Sequence, residues 1–169
     1  MKSYKFTLVE LLIVMVIVCV LAGLSFPMYN RVRNSSKMIA CLNNLKQIGI
    51  SINSYATDNK DALPRCARLN SEDGLPALKD VLRPYASGNV KIFECPGDTS
   101  LHKELGVSYE WNTMINGMKI DKNMFVIGNN LISAPFCGDV DNFHGGKRNY
   151  LYSDGKIIDA FELQIKGLR

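Results

Sequence analysis

The chain is poor in the residues that most often build catalytic and metal centres, with two histidines and one tryptophan among 169 residues. None of its five cysteines pairs with another at C-x-x-C spacing, which argues against a zinc site and against a nucleophilic cysteine. Internal repeats and low-complexity tracts are missing, which excludes a repeat architecture. Lys and Arg outnumber Asp and Glu by 20 to 16, yet no basic cluster is interleaved with aromatics, so a nucleic-acid-binding stripe is not expected. What is present, 47% hydrophobic and 21% charged residues, suits one ordinary core rather than a disordered chain.

That average hides two populations. Leu11 to Phe26 runs sixteen residues without a charge, whereas everything after Arg31 is of mixed polarity. A helix from Phe6 to Tyr29 would rise roughly 36 Å, enough to cross the hydrocarbon core of a bilayer. Lys2 and Lys5 followed by an apolar stretch also fit a cleavable secretory signal, but the run is long for one, and Ala22 to Phe26 is a poor cleavage site. A retained span over about 8–29 is the expectation. Lys2 and Lys5 precede it and Arg31, Arg33 and Lys37 follow it, so loop charge gives no orientation.

Glu10 is out of place among Phe6, Thr7, Leu8, Val9 and Leu11. A carboxylate in lipid needs a compensating partner: either headgroup water and the positive end of the helix, or an ammonium group from another chain. The run Phe6-Thr7-Leu8-Val9-Glu10-Leu11-Leu12 closely resembles the processing and assembly signature of type IV pilins and type II secretion pseudopilins. The resemblance implies a short basic leader (1–5), cleavage by a prepilin peptidase between Lys5 and Phe6, and methylation of the new amino group. It further implies an assembly salt bridge from Glu10 to the Phe6 ammonium of a neighbouring subunit, and a helix kink at Pro27. Lys5 departs from the family pattern, which has glycine before the cut.

From Met38 the pattern turns amphipathic, with Met38, Leu42, Leu45, Ile48, Ile52 and Tyr55 three and four apart. Pro27 is the sole proline before Pro64, so one spine helix over 6–60 is expected, with a head over 61–169 packed on its second half. Cys41-Leu42-Asn43-Asn44, Cys95-Pro96-Gly97-Asp98, Ser108 to Asn112, and His144 nine residues before Asp154-Gly155 are similar to motifs of a large pseudopilin-like bacterial family. In the head, Pro76 to Leu82 suggests a short helix. Strands are expected over Lys91–Cys95, Val107–Asn112, Asn123–Ile127 and Ala134–Cys137, and a hairpin over Asn149–Ile158 turning at Asp154-Gly155. The fold class expected is α+β, a long N-terminal helix against a small antiparallel sheet.

Cys19 lies in the span, leaving Cys41, Cys66, Cys95 and Cys137, an even set with three possible connectivities that suits an extracytoplasmic head. His144 with Asp154, near Asp139, Asp141 and His102, is the acid/base group to consider for a dyad or metal site, but Asp154-Gly155 is more simply hairpin chemistry. Asp139-Val140-Asp141-Asn142 offers oxygen ligands without EF-hand spacing. No catalytic residue, metal or cofactor is therefore expected. The expectation is a structural subunit of a pilus or pseudopilus, single-pass in the inner membrane with its head in the periplasm or outside. Its partners would be like subunits, the peptidase, an assembly platform and the bilayer. The alternative is a membrane-tethered binding protein that uses the helix only as an anchor.

Overall fold

The computed structural model describes residues 7–70, 74–120, 124–127, 130–159 and 164–167, without the side chains of 24–27, 124–127, 130–132 and 164–167. Helix α1 runs without interruption over Leu8–Asp58. The chain divides into two compact units, residues 1–36 and 37–169. The first carries the apolar half of α1, where every large apolar side chain from Leu8 to Leu21 is at least half exposed, from 52% at Ile13 to 80% at Leu8. By length and composition α1 can span a membrane.

In the second unit α1 shows one buried stripe, Cys41, Leu45, Ile48, Ile52 and Ala56, at the spacing of a helix face. It ends where Asn59 N–H donates to the Tyr55 and Ala56 carbonyls and Lys60 and Asp61 take left-handed φ values of 57° and 63°. Beyond it lie α2 (Leu78–Leu82) and α3 (Leu101–Leu105). Strands β1 (Tyr109–Trp111), β4 (Pro135–Asp139), β5 (Tyr150–Tyr152) and β6 (Ile157–Ile158) form an antiparallel sheet of order β1-β4-β5-β6. A second antiparallel sheet has the order β2-β3-β7, from Met124–Ile127, Asn130–Ser133 and Gln164–Gly167. The architecture is α+β.

The hairpin from β5 to β6 turns as its sequence demands: Gly155 has φ 79°, and Asp154 Oδ1 accepts the Lys156 N–H. Lys91–Cys95 is not a strand. Val90–Phe93 is a 3-10 turn, because the Asn89 side chain accepts the Lys91 N–H and bends the chain at its start. Ile92 and Phe93, adjacent in sequence, are both buried in this turn.

The core joins the α1 stripe to Leu63, Leu82, Phe93, Trp111, Phe136 and Leu151. Trp111 is buried with its indole N–H donated to Asn116 Oδ1 at 2.7 Å and its ring 6.4 Å from that of Phe136. Helix and sheet meet closely at Gly49, where a Cβ would stand 3.1 Å from Leu151 Cδ2. Gly138 on β4 is tighter still: a Cβ there would lie 2.5 Å from Tyr150 Cδ1 and 2.9 Å from the Asn149 carbonyl oxygen. Because one of those atoms is backbone, Gly138→Ala must part β4 from β5. We expect a loss of about 1–3 kcal/mol in urea unfolding of the full chain in detergent, followed by Trp111 fluorescence.

Candidate functional site: the helix start and the Cys41–Cys95–His144 cluster

Thr7 precedes the first turn of α1, and its hydroxyl oxygen accepts the Glu10 N–H at 3.2 Å. Glu10 Oε2 in return accepts the Thr7 N–H at 3.0 Å and the Thr7 hydroxyl at 2.8 Å. This is a reciprocal capping box, which satisfies helix N–H groups that have no partner within the helix. The Thr7-Leu8-Val9-Glu10 spacing announces it in the sequence, so within a single chain Glu10 has a local partner that the pilin-like reading overlooked. Lys5 and Phe6 lie outside the described residues, as does the Pro27 side chain.

The second group gathers three distant segments. Cys41 on α1 is bonded to Cys95, closing a loop of 54 residues. By loop entropy that tie stabilises the fold by about 4 kcal/mol. Next to it Asn44 donates to the Glu94 carbonyl at 2.8 Å, and the Tyr109 hydroxyl donates to the Cys41 carbonyl at 3.4 Å. His144 Nε2 sits 3.2 Å from Cys95 Sγ, and the ligand atoms of Cys41, Cys95 and His144 all lie within 4.8 Å of one another. Burial, aided by the Lys37 charge, holds the His144 imidazole below its ordinary pKa. Three of the sequence motifs, around Cys41, Cys95 and His144, are thus one place in space.

The remaining cysteines are separate: Cys66 and Cys137 are buried free thiols, and Cys19 is exposed on α1. Burial, with the nearby Asp80 charge, pushes the Cys66 thiol up to about 12, and burial with the Asp139 charge pushes Cys137 up as well. Both are held as thiols, the unreactive form.

His144 and Asp154 form no dyad. The imidazole turns to Cys95, while Asp154 accepts from Lys156 through both its backbone N–H and its ammonium. His102 faces Glu94, at 3.6 Å. Asp139 is buried and Asp141 exposed, so the two do not share a ligand cage. Two polar centres escaped the sequence reading. Asp98 accepts the Ser100 and His102 N–H groups and the Ser108 hydroxyl, linking the Cys95 turn to β1. Glu110 is held between Arg68 and Arg148 beside a cavity of about 300 Å³ lined also by Trp111, Met114 and Tyr150. The partners of Glu110 lie far along the chain and no spacing signals them, whereas those of Asp98 are local, and the Asp98-Thr99-Ser100 turn chemistry was a signal that could have found it.

No family model, no curated protein and no solved structure matches this chain.

Asp139 itself carries a pH dependence. Its Oδ2 accepts the Asn149 backbone and side-chain N–H groups, but its Oδ1 is buried with no hydrogen-bond partner among the described residues. Burial raises the carboxyl to about 6, although the Asn149 donors and the Arg148 charge oppose it. The folded state therefore binds a proton that the unfolded chain releases near its ordinary pKa of 3.8. Stability is greatest below pH 4 for this group and declines as pH rises to about 6, by on the order of 3 kcal/mol. Asp139→Asn should flatten that slope relative to the unmodified chain in unfolding curves measured between pH 4 and 7.

Proposed function

We propose that this chain is a membrane-anchored structural subunit of the pilin or pseudopilin type, which assembles through α1 with like subunits into a type IV pilus or a type II secretion pseudopilus. The observation that carries the reading is the division of labour along α1. One half exposes an aliphatic surface on all sides, and the same helix continues into a half whose stripe is built into the core of an α+β unit. A helix apolar all round requires lipid or other apolar helices against it. The Cys41–Cys95 bridge accords with a head outside the cytoplasm. Prepilin peptidase and an inner-membrane assembly platform are the partners this reading requires.

Glu10 has two tasks in this proposal. Its capping bonds to Thr7 close the helix start, and its charge pairs with the ammonium of a neighbouring Phe6, setting register inside the lipid phase. The second reading, a tethered binding protein, draws on the cavity beside Trp111, where Met114 is 74% exposed.

A single substitution separates the tasks. Glu10→Gln removes the charge and keeps a side chain able to complete a capping box. We expect it to lower incorporation into sheared filaments at least tenfold in the native host, with membrane insertion unchanged. Thr7→Ala, which removes the hydroxyl and leaves the charge, should incorporate normally. Normal filaments from Glu10→Gln would instead favour the tethered anchor. Mass spectrometry of the N-terminus from host membranes should find methylated Phe6; an intact Met1 would remove prepilin processing from the proposal.

A further inference from the structure

An imidazole nitrogen and a backbone N–H converge on one sulfur of the bridge. Cys95 Sγ lies 3.2 Å from His144 Nε2, and it accepts the Gly97 N–H at 3.4 Å. The arrangement depends on glycine at 97: a Cβ there would stand 2.7 Å from His144 Cε1 and 3.3 Å from Phe143 Cβ. Hydrogen bonds to sulfur are weak while the sulfur is neutral and strengthen once it carries charge. The Gly97 N–H, joined by the imidazole when its proton is on Nε2, thus favours the state in which the bridge has opened and Cys95 is a thiolate.

We propose that Cys41–Cys95 is a thiol-exchange site for an extracytoplasmic dithiol, with Cys95 as the leaving sulfur and His144 as the residue that positions a donor on it. The thiolate of the incoming dithiol attacks Cys41 Sγ and forms a mixed disulfide. The Cys41–Cys95 bond breaks, and its electron pair stays on Cys95, whose thiolate accepts the N–H groups of His144 and Gly97. The second thiol of the dithiol, having lost its proton to solvent, attacks the reagent's sulfur in the mixed disulfide. Cys41 leaves as a thiolate and takes up a proton. The dithiol ends as a disulfide and the two cysteines end reduced, so two electrons have moved. A leaving thiolate of lowered basicity departs faster and makes the bridge easier to reduce. Opening it would release the tie between α1 and the Cys95 turn, a consequence independent of whether the chain forms filaments. Both cysteines are fully buried, so exchange is slow, but the equilibrium position does not depend on access.

The test is the equilibrium of the full chain, in detergent, with reduced and oxidised dithiothreitol. Cys41 and Cys95 are quantified by alkylation and mass spectrometry, and Trp111 fluorescence verifies folding. His144→Leu, which fills the space without a donor, should move the equilibrium about tenfold or more toward the disulfide, the effect of losing a hydrogen bond to a charged group. His144→Gln, which retains an N–H donor, should restore most of that shift. Equal equilibria for His144→Leu and the unmodified chain would overturn the proposal. So would an equal shift in both variants, since packing alone would then explain it. If His144→Leu does not fold, Gly97→Ala, which displaces the ring, takes its place: a shift toward the disulfide is expected, and an unchanged equilibrium overturns the proposal.

Discussion

Burial of one stripe of α1 is the constraint on which the head depends. Cys41, Leu45, Ile48 and Ile52 give a small sheet of short strands the apolar surface it lacks alone. A two- or three-residue strand is not stable in water without such a face. Phe136, Leu151 and Trp111 are buried because the stripe is there, and Gly49 lets the helix approach Leu151 closely enough to exclude water. The same helix is apolar near its start, and by length and composition it can span a membrane there.

Polar contacts then fix how the pieces meet. Hydrophobic burial is non-directional, whereas the Cys41–Cys95 bond, the Asn44 donation to Glu94, and the Asp98 bonds to Ser108 and His102 each specify one geometry. They concentrate where α1, the Cys95-Pro96-Gly97-Asp98 turn and the His144 loop come together. This is also where chemistry is available, since imidazole and disulfide share a site of which little but the ring is open to solvent. Cys66 and Cys137, by contrast, have their thiols held protonated by burial and take no part.

Much of this was legible in advance. The 3.6-residue period placed Leu45, Ile48 and Ile52 on the buried face of α1, although Met38, Leu42 and Tyr55 are only half-buried and Cys41 and Ala56 complete the stripe, and Asp154-Gly155 marked the hairpin; both signals are local. The strand expected over Lys91–Cys95 failed for a local reason too, since Asn89 offers the backbone an alternative hydrogen bond. Strand β7 had no such signal, because its pairing with β3 joins segments more than thirty residues apart, whereas β3 pairs with β2 only two residues before it and Gly128-Asn129 between them is a local signal that was passed over. The capping box at Thr7 and Glu10 was visible in the T-x-x-E spacing, but the unusual charge of Glu10 drew the reading toward an intermolecular partner.

By itself the sequence determined a long helix with an apolar first half, an amphipathic second half and an α+β head. Each follows from periodicity and from the cost of leaving apolar side chains in water. Only the tertiary structure decided that Cys41 pairs with Cys95, that His144 turns to that bridge rather than to Asp154, and that Asp139 is buried with one oxygen lacking a hydrogen-bond partner among the described residues. Those outcomes depend on which distant residues the packed core brings within a few ångströms, and no spacing along the chain encodes that distance.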